Sequence, residues 1–266
     1  MKVISIAANT FKEVVREPVF YILVTLASLM VVLARLMPLF TINEDIKMMK
    51  DIGLSTVNVT GLLLALLAAS RVVYGEIEAR TALTVVAKPV RRFQFILGKY
   101  LGIVGVVVLA LFVVSLVFAA MAWWQVMDQQ LPPELELRKQ VQAVTSVAQG
   151  CLLSLFQVIV LTAVSVATSV YATMVVNVGV VFSIFLLGNL SGWFLEGTLP
   201  QASPTLELVG RAIIGLLPLL ETYNVQALAL GVKIPYEYML LAFGYALYYG
   251  IAVLLVAMLL FQHREL

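Results

Sequence analysis

Residues 144–195 contain no Asp, Glu, Lys or Arg. A helix crosses the hydrocarbon of a bilayer in roughly 20 residues. An uncharged run of this length is too long for one crossing and sufficient for two. It predicts two membrane helices joined by a tight turn, near residues 169–177. Composition agrees with this setting. Hydrophobic residues make up 62% of the chain and charged residues 12%, with a mean hydropathy of +1.03. A soluble domain is nearer half apolar and a quarter charged. The chain reads as all-α and polytopic, one membrane domain over residues 1–266, with room for about six crossings plus loops.

The expected spans are 19–40, 54–74, 95–123, 145–170, 174–195 and 237–261. Before the first, Ile4, Ala7, Ala8, Phe11, Val14 and Val15 recur at helical spacing, with Ser5, Asn9, Lys12, Glu13 and Arg16 opposite. This predicts an amphipathic helix over 3–17 lying in the membrane interface. It ends at Glu17-Pro18, because a residue before proline avoids helical angles. Charges within the first turns interrupt any signal-peptide pattern. Residues 41–53 read as a mixed-charge loop, and Trp123-Trp124 falls where an aromatic belt belongs. Residues 206–220, broken by Arg211 and Pro218, fit a re-entrant or interfacial helix better than a span.

Six spans put both ends of the chain on one side. Placing them in the cytoplasm assigns ten of the 17 basic residues to the inner side. Five of these (Arg80, Lys88, Arg91, Arg92 and Lys99) lie in the short stretch joining spans two and three, where the positive-inside rule acts most strongly.

That stretch also carries the most specific pattern. Glu76, Glu78, Thr81, Lys88, Pro89, Arg92, Phe95, Gly98, Lys99, Tyr100 and Gly102 occur in the order E-x-E-x₂-T-x₆-K-P-x₂-R-x₂-F-x₂-G-K-Y-x-G. This resembles the first cytoplasmic loop of ABC-2 type permeases, the membrane subunits of a class of ATP-driven exporters. The resemblance implies a coupling helix over about 76–88, with Glu76, Glu78, Arg80, Thr81, Lys88, Pro89 and Arg92 contacting an ATPase. It further implies two ATPase subunits, a second permease chain (a homodimer in the simplest case) and a prokaryotic cytoplasmic membrane. Physically, a short charged helix joining two spans is a lever for a soluble partner. Arg91, Arg92 and Lys99 are then expected to anchor on lipid phosphates. Without the resemblance, the same loop is an ordinary solvated one.

Chemistry elsewhere is sparse. The only histidine is His263 and the only cysteine Cys151, so no intrachain disulfide, metal cluster or Ser–His pair is expected. There is no phosphate-binding G-x₄-G-K-[ST] loop. The chain is therefore read as no enzyme and as holding no cofactor, with ATP used by a partner subunit. A net charge of +2 gives no reason to expect nucleic acid. Asn58, Asn177 and Asn189 are candidates for a translocation path or for interhelical hydrogen bonds. Arg35 and Arg71 are expected to snorkel to opposite surfaces. Gly98-x₃-Gly102 and Gly188-x₃-Gly192 permit close helix contact, and Tyr245, Tyr248 and Tyr249 either pack or stack on a ligand. Two readings stand beside the exporter subunit: an ATP-independent secondary transporter and a non-transporting scaffold.

Overall fold

The computed structural model describes residues 2–35, 45–75, 92–127, 133–194, 197, 204–223 and 234–263. Among them the secondary structure is helical, without strands. The main helices are α1 (Lys2–Val15), α2 (Pro18–Ala34), α3 (Asp45–Ala69), α4 (Arg92–Met127), α5 (Pro133–Ser169), α6 (Met174–Asn189), α7 (Pro204–Leu216) and α8 (Tyr236–His263). A π-turn, Ser70–Tyr74, extends α3, and a 3₁₀ turn, Leu220–Tyr223, follows α7.

Four helices are long and apolar enough to cross a membrane: Met48–Tyr74, Phe93–Met127, Leu137–Ser169 and Tyr236–Leu259. They match the second, third, fourth and sixth expected spans. The other two are short. α2 has 17 residues and α6 has 16, about 25 Å each against roughly 30 Å of hydrocarbon. The expected first span ran to residue 40, and residues 36–40 lie outside the described ones.

α5 turns back into α6 through Tyr171–Thr173, as the uncharged run required. Its polar first turns, which fall between the expected third and fourth spans, continue the helix from Pro133, because proline at the first helical position surrenders no hydrogen bond. α3 likewise starts earlier than expected, since Asp45, Lys47, Lys50 and Asp51 sit at spacings a helix tolerates. Its early turns are packed: Met49 is buried and Gly53 lies under the Phe118 ring of α4.

α1 and α2 meet at 66°. The bend has a local cause: Glu17 is extended (φ −69°, ψ 136°) ahead of Pro18. α1 runs beside α4, with Ile6 over Gly98, Thr10 over Gly102 and Phe11 over Gly105. Its inward line is therefore Ile6, Ala7, Thr10, Phe11 and Val14, of which Thr10 and Val14 are buried and the others half-buried. Ile4 and Ala8, expected on the apolar face, are exposed instead. Protein takes up much of the surface that the periodicity assigned to lipid.

Pairings fix the direction of each helix. α3 is antiparallel to α4 (Gly53 on Phe118, Gly61 on Leu111) and parallel to α5 (Gly61 on Val158). α8 is parallel to α5, with Gln149 beside Ile234, Phe156 beside Phe243 and Ala163 beside Gly250. The end of α3, the start of α4 and the ends of α5 and α8 thus share one end of the bundle. Residues 76–91 connect α3 and α4 there.

Candidate functional site

The polar contacts concentrate at the end of the bundle where residues 76–91 attach. The last turn of α3 widens there into the π-turn, and two consecutive residues of it reach different neighbours. Ser70, buried, receives a hydrogen bond from Asn177 Nδ2 at 2.7 Å. Arg71 Nη1 donates to Glu17 Oε2 at 2.8 Å, at the bend between α1 and α2. The first contact reaches the base of the α5–α6 hairpin. Asn177 Nδ2 also donates to Ser165 at 3.0 Å, and Thr168 donates its hydroxyl to Asn177 Oδ1. Asn177 thus joins α3, α5 and α6 through both ends of one amide. π-Turns inside helices occur frequently at functional sites, and no periodicity in residues 54–74 announces this one.

Arg71, expected to snorkel to a membrane surface, is partly exposed and pairs with a carboxylate. Lys99 departs from expectation. It is 3% exposed, with Nζ 3.8 Å from Glu13 Oε2 and 5.7 Å from the Phe95 ring centroid. A side chain so enclosed does not anchor on lipid phosphates. The reason is α1, which lies over the glycine face of α4 and covers it.

The remaining residues of the coupling pattern stand as follows. Glu76, Glu78, Arg80, Thr81, Lys88 and Pro89, with the expected helix over 76–88, lie outside the described residues. Arg92 opens α4, but its side chain is not among those described. Gly98 and Gly102 have a direct role, as the floor on which α1 rests.

Asn58 and Asn189 meet at a second place. Asn58 Nδ2 donates to Gln157 Oε1 at 2.8 Å, and Gln157 Nε2 donates to Asn189 Oδ1 at 3.2 Å. Gln157 is buried and 12 residues before Ser169, about 18 Å along α5. This cluster is therefore deep in the bundle, about 18 Å along α6 from Asn177. Asn58 Oδ1 and the Ser154 hydroxyl are buried there without hydrogen-bond partners. Interhelical hydrogen bonding thus describes all three asparagines. Gln157, Ser70, Ser165 and Thr168 were not singled out in the sequence. Their only signal is a polar side chain inside an apolar run.

α6 ends in this deep layer, and the chain returns to it after α7. Leu220 and Tyr223 are buried, and Leu220 sits against Gly188. Two tyrosines of α8 hold the turn: Tyr245 Oη accepts from the Leu219 N–H at 2.9 Å, and Tyr238 donates to the Thr222 carbonyl. Tyr223 donates to the Ala242 carbonyl at 3.2 Å. Residues 206–220 take in most of α7, a helix of 13 residues, about 20 Å and short of the hydrocarbon thickness, followed by the turn packed on the end of α6. Tyr245 also packs on Tyr249, while Tyr248 points outward.

At the opposite end of the bundle, Arg35 donates to Gln125 Oε1 and lies 5.5 Å from the centroid of the Trp124 ring. Among the described residues no three His, Cys, Asp or Glu side chains gather in a metal-binding arrangement. No protein-family model matches the chain, and no curated protein matches it.

Proposed function

We propose that this chain is the membrane subunit of an ABC-2 type exporter, driven by a separate ATPase that grips residues 76–91. The ordered pattern from Glu76 to Gly102, placed between two long apolar helices, carries the reading. Its glycines support it further, because Gly98 and Gly102 seat α1 on α4 beside the proposed handle. In this reading the chain crosses the cytoplasmic membrane of a prokaryote six times, with α2 and α6 as short crossings and both ends inside. Two copies assemble with two ATPase subunits. Asn58, Gln157 and Asn189 mark the deep polar layer of the path, and Asn177 ties the path to the handle.

Co-purification with an ATPase subunit, and loss of ATP-driven transport in Glu76→Lys or Pro89→Ala with folding retained, are the expected results. Normal transport by both variants refutes the coupling role. Accessibility of residues 76–92 to impermeant label from outside intact cells refutes the orientation.

One observation favours a second reading, an ion-driven secondary transporter. α6 stops in the deep layer, and a re-entering turn meets it there, as in transporters built on discontinuous helices. Transport by the purified chain alone, driven by an ion gradient, decides for that alternative.

A further inference from the structure

The amides of the deep layer form a one-way relay, and its free end carries an unmet requirement. The Phe185 carbonyl of α6 can only accept, so Asn189 turns Nδ2 to it, at 2.8 Å. Asn189 Oδ1 is then left to accept from Gln157 Nε2, and Gln157 Oε1 to accept from Asn58 Nδ2. One backbone carbonyl thus fixes which end of each amide faces which way. Asn58 must close the relay with an oxygen, and that oxygen is buried without a hydrogen-bond partner.

A second oxygen of the same kind stands on the adjacent turn of α5. α3 runs parallel to α5, and Gly61 against Val158 puts Asn58 about level with residue 155. Ser154 and Gln157, three apart on one face of α5, therefore flank Asn58 along the helix. The Asn58 nitrogen is engaged toward Gln157, which leaves its oxygen for the Ser154 side. Ser154 is fully buried and its hydroxyl makes no hydrogen bond. Thr162 and Ser169, farther along the same helix, instead donate to carbonyls four residues back.

Electrostatics select what such a pair of oxygens takes. The amide dipoles of the relay all point their oxygen ends toward Asn58. The relay is rooted near the C-terminal end of α6, where the helix dipole is negative. Aligned hydrogen-bonded dipoles polarise one another, so Asn58 Oδ1 is the negative terminus of the chain. An anion is repelled there and a cation is drawn. Neutral amide and hydroxyl oxygens suit hard cations, and Na⁺ is held in membranes by carbonyls and the C-terminal ends of half-helices. Divalent ions lean on carboxylates, whereas the relay and Ser154 are neutral.

We propose that Asn58 Oδ1 and Ser154 Oγ are two ligands of a monovalent cation of the sodium class, held in the deep layer with water filling its remaining positions. The cation meets the requirement that the relay leaves at its end, and it ties α3 to α5 and, through Gln157 and Asn189, to the end of α6. The site stands on the buried relay and is independent of how transport is powered.

The test is equilibrium binding of radioactive Na⁺ to the purified full chain in detergent. The expected result is saturable binding that unlabelled NaCl displaces and choline chloride at equal ionic strength does not. Ser154→Ala should weaken it about tenfold, the scale of one charge-assisted contact. Ser183→Ala, at an exposed position of α6 whose hydroxyl is engaged by the Gly179 carbonyl, should keep the native affinity. Unfolding temperatures in choline chloride verify that both variants fold. Absence of saturable Na⁺ binding by the native chain overturns the proposal and assigns the two oxygens to water. Native affinity in Ser154→Ala overturns it as well. No ATPase enters the measurement, so failure here leaves the exporter reading standing.

Discussion

Replacing glycines on the floor beneath α1 tests the packing quantitatively. A Cβ on Gly102 would lie 2.6 Å from Thr10 Cβ and 2.8 Å from the Ala7 carbonyl oxygen. Carbon contacts are comfortable at about 3.5–4.0 Å. Thr10 is β-branched and buried, and the Ala7 oxygen is backbone, so neither swings aside. α1 must then lift from α4 by roughly 0.7 Å, which forfeits a quarter to a half of each dispersion contact along the line. Overpacking of this kind costs about 1–3 kcal/mol, offset by about 1 kcal/mol from the better helix propensity of Ala. At Gly105 the Cβ meets only the Phe11 ring edge, at 3.2 Å, which yields by a small rotation. There the propensity gain dominates. Gly102→Ala should therefore be less stable than Gly105→Ala by about 2 kcal/mol. Unfolding of each purified variant in detergent measures this. Tryptic cleavage after Lys12 and Arg16 reports the same event locally and should accelerate in Gly102→Ala alone. Equal stability of the two variants, or the reverse order, refutes the seating of α1 on this face.

Four further outcomes are expected. Thr10→Val should be neutral or stabilising by up to about 1 kcal/mol, because the Thr10 hydroxyl is buried without a partner and its removal lifts a desolvation penalty; detergent unfolding measures it. Gly188→Ala should displace the 3₁₀ turn, since its Cβ would lie 2.8 Å from the Pro218 carbonyl oxygen. Gly192→Ala should be milder, as it meets only the mobile end of the exposed Glu221 side chain; cross-linking between Cys substitutions at 186 and 220 distinguishes the two. Asn177→Ala should destabilise by about 1–3 kcal/mol, and a cycle with Ser70→Ala should show coupling. Arg71→Ala should cost under about 1 kcal/mol and lose its effect at high salt, as exposed pairs do.

Much of the helix plan is written in hydropathy, because a bilayer gives apolar runs little choice. The α5–α6 turn and the shortness of α7 both follow from charge and proline placement. Other elements are illegible for stated reasons. The inward line of α1 is set by where glycines stand on α4, more than 80 residues later in the chain. The burial of Lys99 follows from the same docking. The π-turn depends on two side chains finding partners on α5–α6 and at the α1–α2 bend, which no local pattern encodes. Of the candidate residues, Asn58, Asn177 and Asn189 were legible as polar side chains inside apolar runs. Their grouping was not, because Gln157 bridges two of them and Ser70 takes the third.

The strengths of these ties decide how a pull on residues 76–91 would spread, if a partner grips them. The insert joins α3 to α4, and the two helices have different neighbours at that end. α3 is bound through Ser70 and Asn177 to the base of α5–α6, in a buried network where no water replaces a lost partner. α4 is bound through its glycine face to α1. Between these two sets of helices the polar contacts include Arg71–Glu17, whose side chains are 43% and 26% exposed, worth about 0.2–1 kcal/mol, and a long hydrogen bond from the Tyr100 hydroxyl of α4 to the Ile159 carbonyl of α5 at 3.5 Å. Farther along, Gly53 under Phe118 and Gly61 against Leu111 hold α3 and α4 together. The weak tie therefore lies at the insert, whereas α4 packs on α5 more extensively than any other pair of described helices does. A pull on the insert is therefore expected to act first on the Arg71–Glu17 tie, parting the α1–α2 bend from the base of α5–α6 while the extensive α4–α5 contact holds. Spin labels at residues 16 and 172 should separate when the partner binds nucleotide, and labels at 53 and 118 should keep their distance. Equal movement of both pairs would mean that the helices shift as one block, and the π-turn would then have no part in the transmission.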